Sequence, residues 1–518
     1  MSEKQFDAIV IGSGFGGAMT AKKLVDAGWD VAIIERGREV KRGPSNWARN
    51  ASVDLTDNYD KSQPYHVEKG GNKPKMGSYT AVGGPSIFYG GVSFRFREAD
   101  FEPPSDIVAD SKAAWPIKYA DLSPYYDEAE NILQISGEAG VDPTEPSRAN
   151  AFPQAATQLA KISERLKTAA QSLGLHPFRL PMAINYEDKS RTLCQRCTTC
   201  DTFACAVGAK NDIATMVLPK LVEQSATIYK NTLVHHLVHK EGKISEVHCT
   251  DTVTGDKKIM KADVVILSAG AMGSPHLALS SGLEKYNPAG DKVGRYLMRH
   301  ANAIIFGIFP TPPDKQGVFH KELAIMDYYF GIEGSEWEGK KLGSLQQIST
   351  PPPGLVEMEA PRPLGKVAAL GVKLLTGLLA IAEDQPQYKN HITVDHKRKT
   401  TYNMATPVVS SDYSERDIAA VTALANKAKV IMKKTGAWTQ YIHHIRTFSH
   451  TVGTIRMGDD PQEAPLDKYC NFRGIENLYV TDGSFMPTSA AVNPSLTIAA
   501  NALRVGDYLL SKYKKQSS

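Results

Sequence analysis

The chain has 518 residues, 42% hydrophobic and 22% charged, the make-up of a soluble globular protein with room for two or three domains. Its net charge is only +4 and its basic residues are spread along the chain, which points away from nucleic-acid binding. Six cysteines in so long a chain do not make a disulfide framework.

The N-terminal MSEKQF runs into a strand without a secretory n-region and h-region, so a cytoplasmic chain is expected. Residues 7–11 (DAIVI) read as a strand buried on both faces. GSGFGG follows at 12–17, then a helical pattern with Ala18, Ala21, Leu24 and Val25 on one side, which Gly28 ends. A second strand spans 30–35 (DVAIIE). Gly12 allows the tight turn, Gly14 lets backbone approach a pyrophosphate, and Gly17 lets helix pack close to strand. The helix N-terminus, opening at Phe15, offers free N–H groups to phosphates. Glu35, followed by Arg36, is placed to accept from ribose hydroxyls and would repel a 2′-phosphate. The unit binds a dinucleotide; by itself it does not separate FAD from NAD.

Further along, Cys194, Cys197, Cys200 and Cys205 form a C-x2-C-x2-C-x4-C run. Packed thiols or a local disulfide, an iron–sulfur cluster, and a zinc site all stay open for it. Residues 264–270 (VVILSAG) and 478–483 (LYVTDG) read as two more parallel strands ending in glycine turns. Between them, 300–450 has a different texture, with TPPPGLVEMEAPRP at 350–363 and a strand-like HITVDH at 391–396. The strongly apolar 364–382 reads as an amphipathic helix over the core or a pocket. Lys366 and Lys373 inside it argue against a membrane span. Asn493 and Pro494 read as N-cap and first residue of a helix over SLTIAANALRVGDYLL. The basic tail of Lys512, Lys514 and Lys515 reads as a solvated end.

Six segments, in order, carry a resemblance to the glucose–methanol–choline (GMC) oxidoreductases. They are VGGPSIFYGG (82–91), WPIKYADLSPYYDEAE (115–130), LSAGAMGSPHLALSSGL (267–283), VGRYLMRH (293–300), SHTVGTIRMG (449–458) and NLYVTDGSFMPTSAAVNPSLTIAANALRVGDYL (477–509). The resemblance makes the dinucleotide FAD. It implies an α/β fold: a discontinuous Rossmann-like FAD-binding domain and an α+β substrate domain with an antiparallel sheet. The FAD-binding parts are expected at 1–100, 191–300 and 446–518, and the substrate domain at 101–190 and 301–445.

The resemblance assigns Gly12, Gly14, Gly17 and Glu35 to pyrophosphate and ribose, and Val234 to adenine. It places Ala269 and Gly270 near the adenosine half, and Asp482 and Gly483 at the pyrophosphate and ribityl chain. Gly83, Gly84, Ser86, Tyr89 and Gly90 match the loop beside the isoalloxazine ring. Many members carry Asn where Tyr89 stands, and some carry at the Phe88 position a His that bonds covalently to flavin; non-covalent FAD is therefore expected.

The implied chemistry is oxidation of an alcohol (a sugar, a polyol or a bulky apolar alcohol, the last mildly favoured by the apolar 364–382 stretch) to a carbonyl: a base takes the hydroxyl proton and hydride goes to flavin N5. His450 is the expected base and Asn493 its partner, an amide that donates to the substrate oxygen without titrating. The helix after Pro494 would place its positive end by the reduced flavin. The electron acceptor would be O2, or a protein or quinone; the alternatives are a lyase on the same fold and a dehydrogenase that passes electrons through an iron–sulfur cluster to a partner.

Overall fold

Apolar runs bracket the glycine-rich turn, and both become inner strands of one sheet. Gln5–Ile11 and Val31–Ile34 pair in parallel, with residues 8–11 and 31–34 buried. The computed structural model describes residues 5–513 except 72, 316, 319–320, 360–362 and 364.

The order across this seven-stranded sheet is Thr227–Tyr229, Val31–Ile34, Gln5–Ile11, Lys257–Leu267, Lys243–Asp251 and Thr232–Lys240. Lys257–Leu267 has two roles: residues 257–260 pair antiparallel with Lys243–Asp251, and 261–267 pair parallel with Gln5–Ile11. Leu478–Val480 adds in parallel to residues 265–267. Strands from opposite ends of the chain thus share one sheet, the discontinuous α/β architecture that was expected. The helix Phe15–Asp26 lies against the C-terminal helix Ser495–Lys512, with Thr20 donating to the Ala502 carbonyl at 3.3 Å.

A second, six-stranded sheet is antiparallel throughout. Its order is Thr439–His444, Ala301–Ile308, Leu375–Ala382, Gly343–Ile348, Leu323–Ile325 and Phe178–Arg179. Side chains alternate across it. Leu345, Leu378, Ala380 and Ile305 join a core with Leu424, Ala428 and Ile431 of the helix Glu415–Lys434. Ser344 and Gln346 point the other way, toward residues 491–493.

The helix expected over 364–382 is corrected. Residue 364 lies outside the described residues, Gly365–Gly371 is a short helix, and Leu375–Ala382 is a strand. That strand is hydrogen-bonded on both sides, to Ala301–Ile308 and to Gly343–Ile348. A run apolar on every face suits a central strand buried on both sides as well as a helix. Among the described residues no helix is long and apolar enough to cross a membrane.

The strand-like 391–396 extends to His391–Lys399 and joins a third sheet, with Ala405–Ser410, Tyr59–Lys69 and Lys75–Tyr79. Lys512 is not a free end: its ammonium donates to the Tyr479 hydroxyl at 2.8 Å and lies over the Tyr508 and Tyr513 rings. Lys514 and Lys515 lie outside the described residues.

His276, on the helix Gly270–Ser280, is buried and bonds through Nε2 to the Ala405 carbonyl at 2.8 Å, tying the first sheet to the third. Burial lowers its pKa from 6.5 to about 4, the Ala405 bond opposing and Arg36 adding. Below pH 6.5 the unfolded chain takes this proton while the folded chain does not until about pH 4. Stability should therefore fall as pH drops through that window, and the fall in thermal midpoint should be shallower in His276→Gln.

Candidate functional site

The glycine-rich turn is shaped by close approaches. A Cβ on Gly12 would lie 2.2 Å from the Ser268 carbonyl oxygen, on Gly16 2.3 Å from that of Thr481, and on Gly17 2.0 Å from that of Gly12. A Cβ on Gly14 would meet nothing within 4 Å. Gly14 thus faces open space while the others pack helix against strands. Gly16 had no role in the sequence reading; its contact is with Thr481, which only the fold brings near.

The helix Phe15–Asp26 starts at Gly14 with no side-chain cap and no acidic residue in its first turn. Its N-terminal N–H groups and positive end stay available to an anion. Glu35 is buried and accepts from Ser13 N at 3.1 Å, Ser13 Oγ at 2.7 Å and Gly37 N at 2.8 Å. Ser13 Oγ in turn accepts from Gly83 N at 2.9 Å, tying the turn to the 82–91 loop. Arg36 is partly buried beside it. Val234 is buried in Thr232–Lys240. Ala269 precedes the helix Gly270–Ser280, and Gly270 has φ +82°. Asp482 accepts from Gly270 N at 2.9 Å and Ser484 N at 2.8 Å, and Gly483 follows it in a short helical turn. Gly12, Glu35, Ala269 and Asp482 each lie just past the carboxyl end of a parallel strand, where such sheets bind ligands. The open Gly14 position, the uncapped helix and the Glu35 carboxylate fit the diphosphate and ribose of FAD.

Expected overpacking makes Gly17→Ala a direct test of this cradle. Helix and strand would have to part, which in close-packed interiors costs about 1–3 kcal/mol. The variant should purify with less flavin, read as the ratio of 450 nm to 280 nm absorbance.

In the 82–91 loop, Gly83 and Gly84 have φ of +97° and +59°. Ser86 Oγ donates to the Gly83 carbonyl at 2.6 Å and accepts from Ile213 N at 3.1 Å. Tyr89 donates to the Asn211 carbonyl at 3.2 Å and meets the Phe15 ring edge-on at 5.4 Å. Gly90 leaves room for Asp201, whose Oδ1 is 2.2 Å from where a Cβ would sit. Phe88 is buried beside Tyr79 and Ala204.

The reacting end is built by residues far apart in sequence. His450 Nε2 lies 3.4 Å from Asn493 Nδ2. His450 Nδ1 lies 3.2 Å from His300 Nδ1, and His300 Nε2 lies 3.1 Å from the Ser489 carbonyl oxygen. Asn493 Oδ1 accepts from Gln346 Nε2 at 2.9 Å, and buried Gln346 Oε1 has no partner. His450 and His300 both adopt left-handed backbone, φ +55° and +60°. Burial holds His450 down to about 3, with His300 and then Lys321 adding and Asp201 opposing, so its imidazole is neutral. Lys321 and Asp201 pair at 2.7 Å.

The N-cap expectation for Asn493 is corrected. The helix Ser495–Lys512 begins one residue later, with Pro494 at the cap position and no side-chain cap. The Asn493 amide is turned instead to His450 and Gln346.

A buried ion cluster holds the 488–493 loop. Lys341 Nζ lies 2.5 Å from both Asp100 Oδ1 and Glu383 Oε2. Glu383 Oε1 accepts from Ala490 N at 2.9 Å, and Tyr329 OH, which donates to Asp100, accepts from Ala491 N at 3.2 Å. Trp115 Nε1 donates to Thr488 Oγ1 at 2.8 Å. His300, Gln346 and this cluster escaped the sequence reading, since no spacing links them to His450.

The cysteine run does not fit a metal or cluster. Among the described residues no three His, Cys, Asp or Glu side chains gather as a metal-holding group, and all six cysteines are free thiols. Burial pushes the Cys194 thiol up to about 11 and Cys200 well above its usual value. Cys197 contacts Thr199 Oγ1 at 3.3 Å, and Cys205 is buried. What the loop positions is Lys210, whose buried ammonium donates to the carbonyls of Tyr89, Cys200 and Phe203 at 2.7–2.9 Å.

Residues 6–302 and 386–502 match the two GMC oxidoreductase family models. The chain belongs to the GMC oxidoreductase family. Among its GMC relatives, 6'''-hydroxyparomomycin C oxidase of Streptomyces lividus is 27% identical, over 98% of this chain and 92% of its own. The 2-methyl-1,2-propanediol dehydrogenase of Mycolicibacterium austroafricanum is 26% identical, over 99% and 96%. The crystal structure of pyridoxine 4-oxidase from Mesorbium loti superposes with a TM-score of 0.69 at 18% identity, over 98% and 99%, a likeness of fold.

Proposed function

We propose that this GMC oxidoreductase oxidises a hydroxyl of a small polyhydroxylated alcohol or sugar to a carbonyl, using non-covalently held FAD. The approach of His450 Nε2 to Asn493 Nδ2 at 3.4 Å carries this reading. It sets a neutral imidazole base beside an amide donor, the pair an alcohol oxygen needs. Asn493 holds the carbinol oxygen, and His450 Nε2 takes its proton. FAD, when bound, supplies the two-electron acceptor for the carbon-bound hydrogen. The helix Ser495–Lys512 starts two residues on from Asn493 with no acid in its first turn, so its positive end favours negative charge there.

The polar substrate class is supported by the side chains around the pair. Gln346 offers a buried, unused carbonyl oxygen, and the Lys321–Asp201 ion pair acts electrostatically on His450. With 375–382 a strand in a sheet, the long apolar helix expected over 364–382 lends no support to a greasy substrate. The relatives named for 6'''-hydroxyparomomycin C and for 2-methyl-1,2-propanediol agree with this direction.

The test is anaerobic mixing of the yellow holoprotein with a panel of polyols, sugars, aromatic alcohols and sterols. Polyols or sugars should bleach the flavin, and reoxidation by O2 or a quinone dye then identifies the acceptor. No bleaching by any alcohol would sink the reading in favour of a non-redox lyase.

A further inference from the structure

The hydrogen bonds behind His450 run in one direction, and a backbone group sets that direction. The Ser489 carbonyl oxygen, 3.1 Å from His300 Nε2, can only accept. Neutral His300 must therefore carry its proton on Nε2, leaving Nδ1 bare. His450 Nδ1, 3.2 Å from that bare nitrogen, must then be the donor. His450 Nε2 is left with its lone pair facing Asn493 Nδ2.

We propose that His300 is a positioning residue that locks His450 in the Nδ1–H tautomer, so that the bare Nε2 is the nitrogen presented to the substrate hydroxyl. This rests on the reading of His450 as the base.

The opposite tautomer fails twice. Nε2–H would face the Asn493 donor, and two bare Nδ1 atoms would face each other in a buried space. Asn493 and Gln346 could rotate their amides to relieve the first conflict. Nothing relieves the second, because a peptide carbonyl cannot rotate into a donor. The Ser489 end is also the pinned one. Ser489 Oγ donates to Asp384 Oδ1 at 2.8 Å, and Ala490 N donates to Glu383. Tyr413 OH donates to the His300 carbonyl at 2.7 Å. Of the charged groups near His300, Asp384 favours its protonation and Lys341 opposes it; burial outweighs Asp384 and keeps the ring neutral. Those near His450, Lys321 and Asp201, oppose each other. A chain that ends on a carbonyl cannot pass a proton on, so it orients His450 and does not drain it. The proton taken at Nε2 leaves from the substrate side.

Protein labelled with ring-15N histidine tests this without turnover. Long-range 1H–15N spectra of the holoprotein, with His450 identified by its absence from His450→Gln, should show Nδ1 protonated and Nε2 bare. His300→Phe, which cannot accept, should lose that pattern and bleach anaerobically at least tenfold slower with unchanged substrate Kd. His300→Asn, whose carbonyl can accept from Nδ1, should regain both the tautomer and most of the rate. An Nε2–H tautomer in the wild type would overturn the proposal. So would a His300→Phe protein with wild-type tautomer and rate. If the Phe variant does not fold, the wild-type spectrum and the Asn variant still decide. Undiminished bleaching by His450→Ala would end the base assignment while leaving the tautomer measurement valid.

Discussion

His450→Ala is expected to slow anaerobic flavin bleaching by substrate about 10²–10⁴-fold, the usual worth of a positioned general base. Substrate Kd should change little, because Asn493 and the surrounding polar groups remain. The loss therefore falls on the bleaching rate constant and not on its substrate dependence, the signature of an interaction made in the transition state. The wild-type rate should stay flat as pH falls toward 5, since burial holds His450 neutral down to about 3. A variant that bleaches at the wild-type rate would remove His450 from the chemistry. The left-handed backbone at His450, φ +55°, is a second reason to expect a specific role. Such conformations in non-glycine residues cost energy and persist where the surroundings impose them.

The dinucleotide unit was legible because its chemistry is local. Gly12, Gly14, Gly17 and Glu35 lie within one strand–turn–helix–strand, and Gly12 and Gly17 make the close backbone approaches their spacing implied. His450 and Asn493 were legible only through motif resemblance, since 43 residues separate them. What failed did so for physical reasons. The 364–382 run is rich in leucine and alanine, residues a helix favours, but two neighbouring strands claim its second half. Asn493-Pro494 has the composition of a helix cap, yet the amide makes better use of His450 and Gln346. The cysteine spacing matched a ligand loop, while the fold leaves its cysteines as free thiols and uses the loop's carbonyls at Cys200 and Phe203 to hold Lys210. His300 sat inside a recognised segment, but its partner is 150 residues away, a distance no spacing rule covers.

Lys341→Met is expected to destabilise the protein by about 3–5 kcal/mol, because it strands two carboxylates in the interior. Asp100 and Glu383 are both fully buried, and Lys341 is the cation they share. Asp100 keeps the Arg97 amide and the Tyr329 hydroxyl; Glu383 keeps only the Ala490 amide on its other oxygen. Burial already raises the Glu383 pKa, with Lys341 opposing. Without the lysine, the folded chain should bind a proton on Glu383 that the unfolded chain releases. Stability of the variant should then fall as pH rises, so its deficit in thermal midpoint should be larger at pH 8 than at pH 5.5. Adding Glu383→Gln should recover part of the loss, since the amide oxygen still accepts from Ala490 and one of the two stranded charges is gone. A deficit that is independent of pH and untouched by the second change would refute the electrostatic cause. The same cluster grips Ala490 and Ala491, three and two residues before Asn493. Lys341→Met should therefore also slow flavin bleaching below its melting range, because a loop displaced by about 1 Å is enough to spoil alignment of a reacting pair.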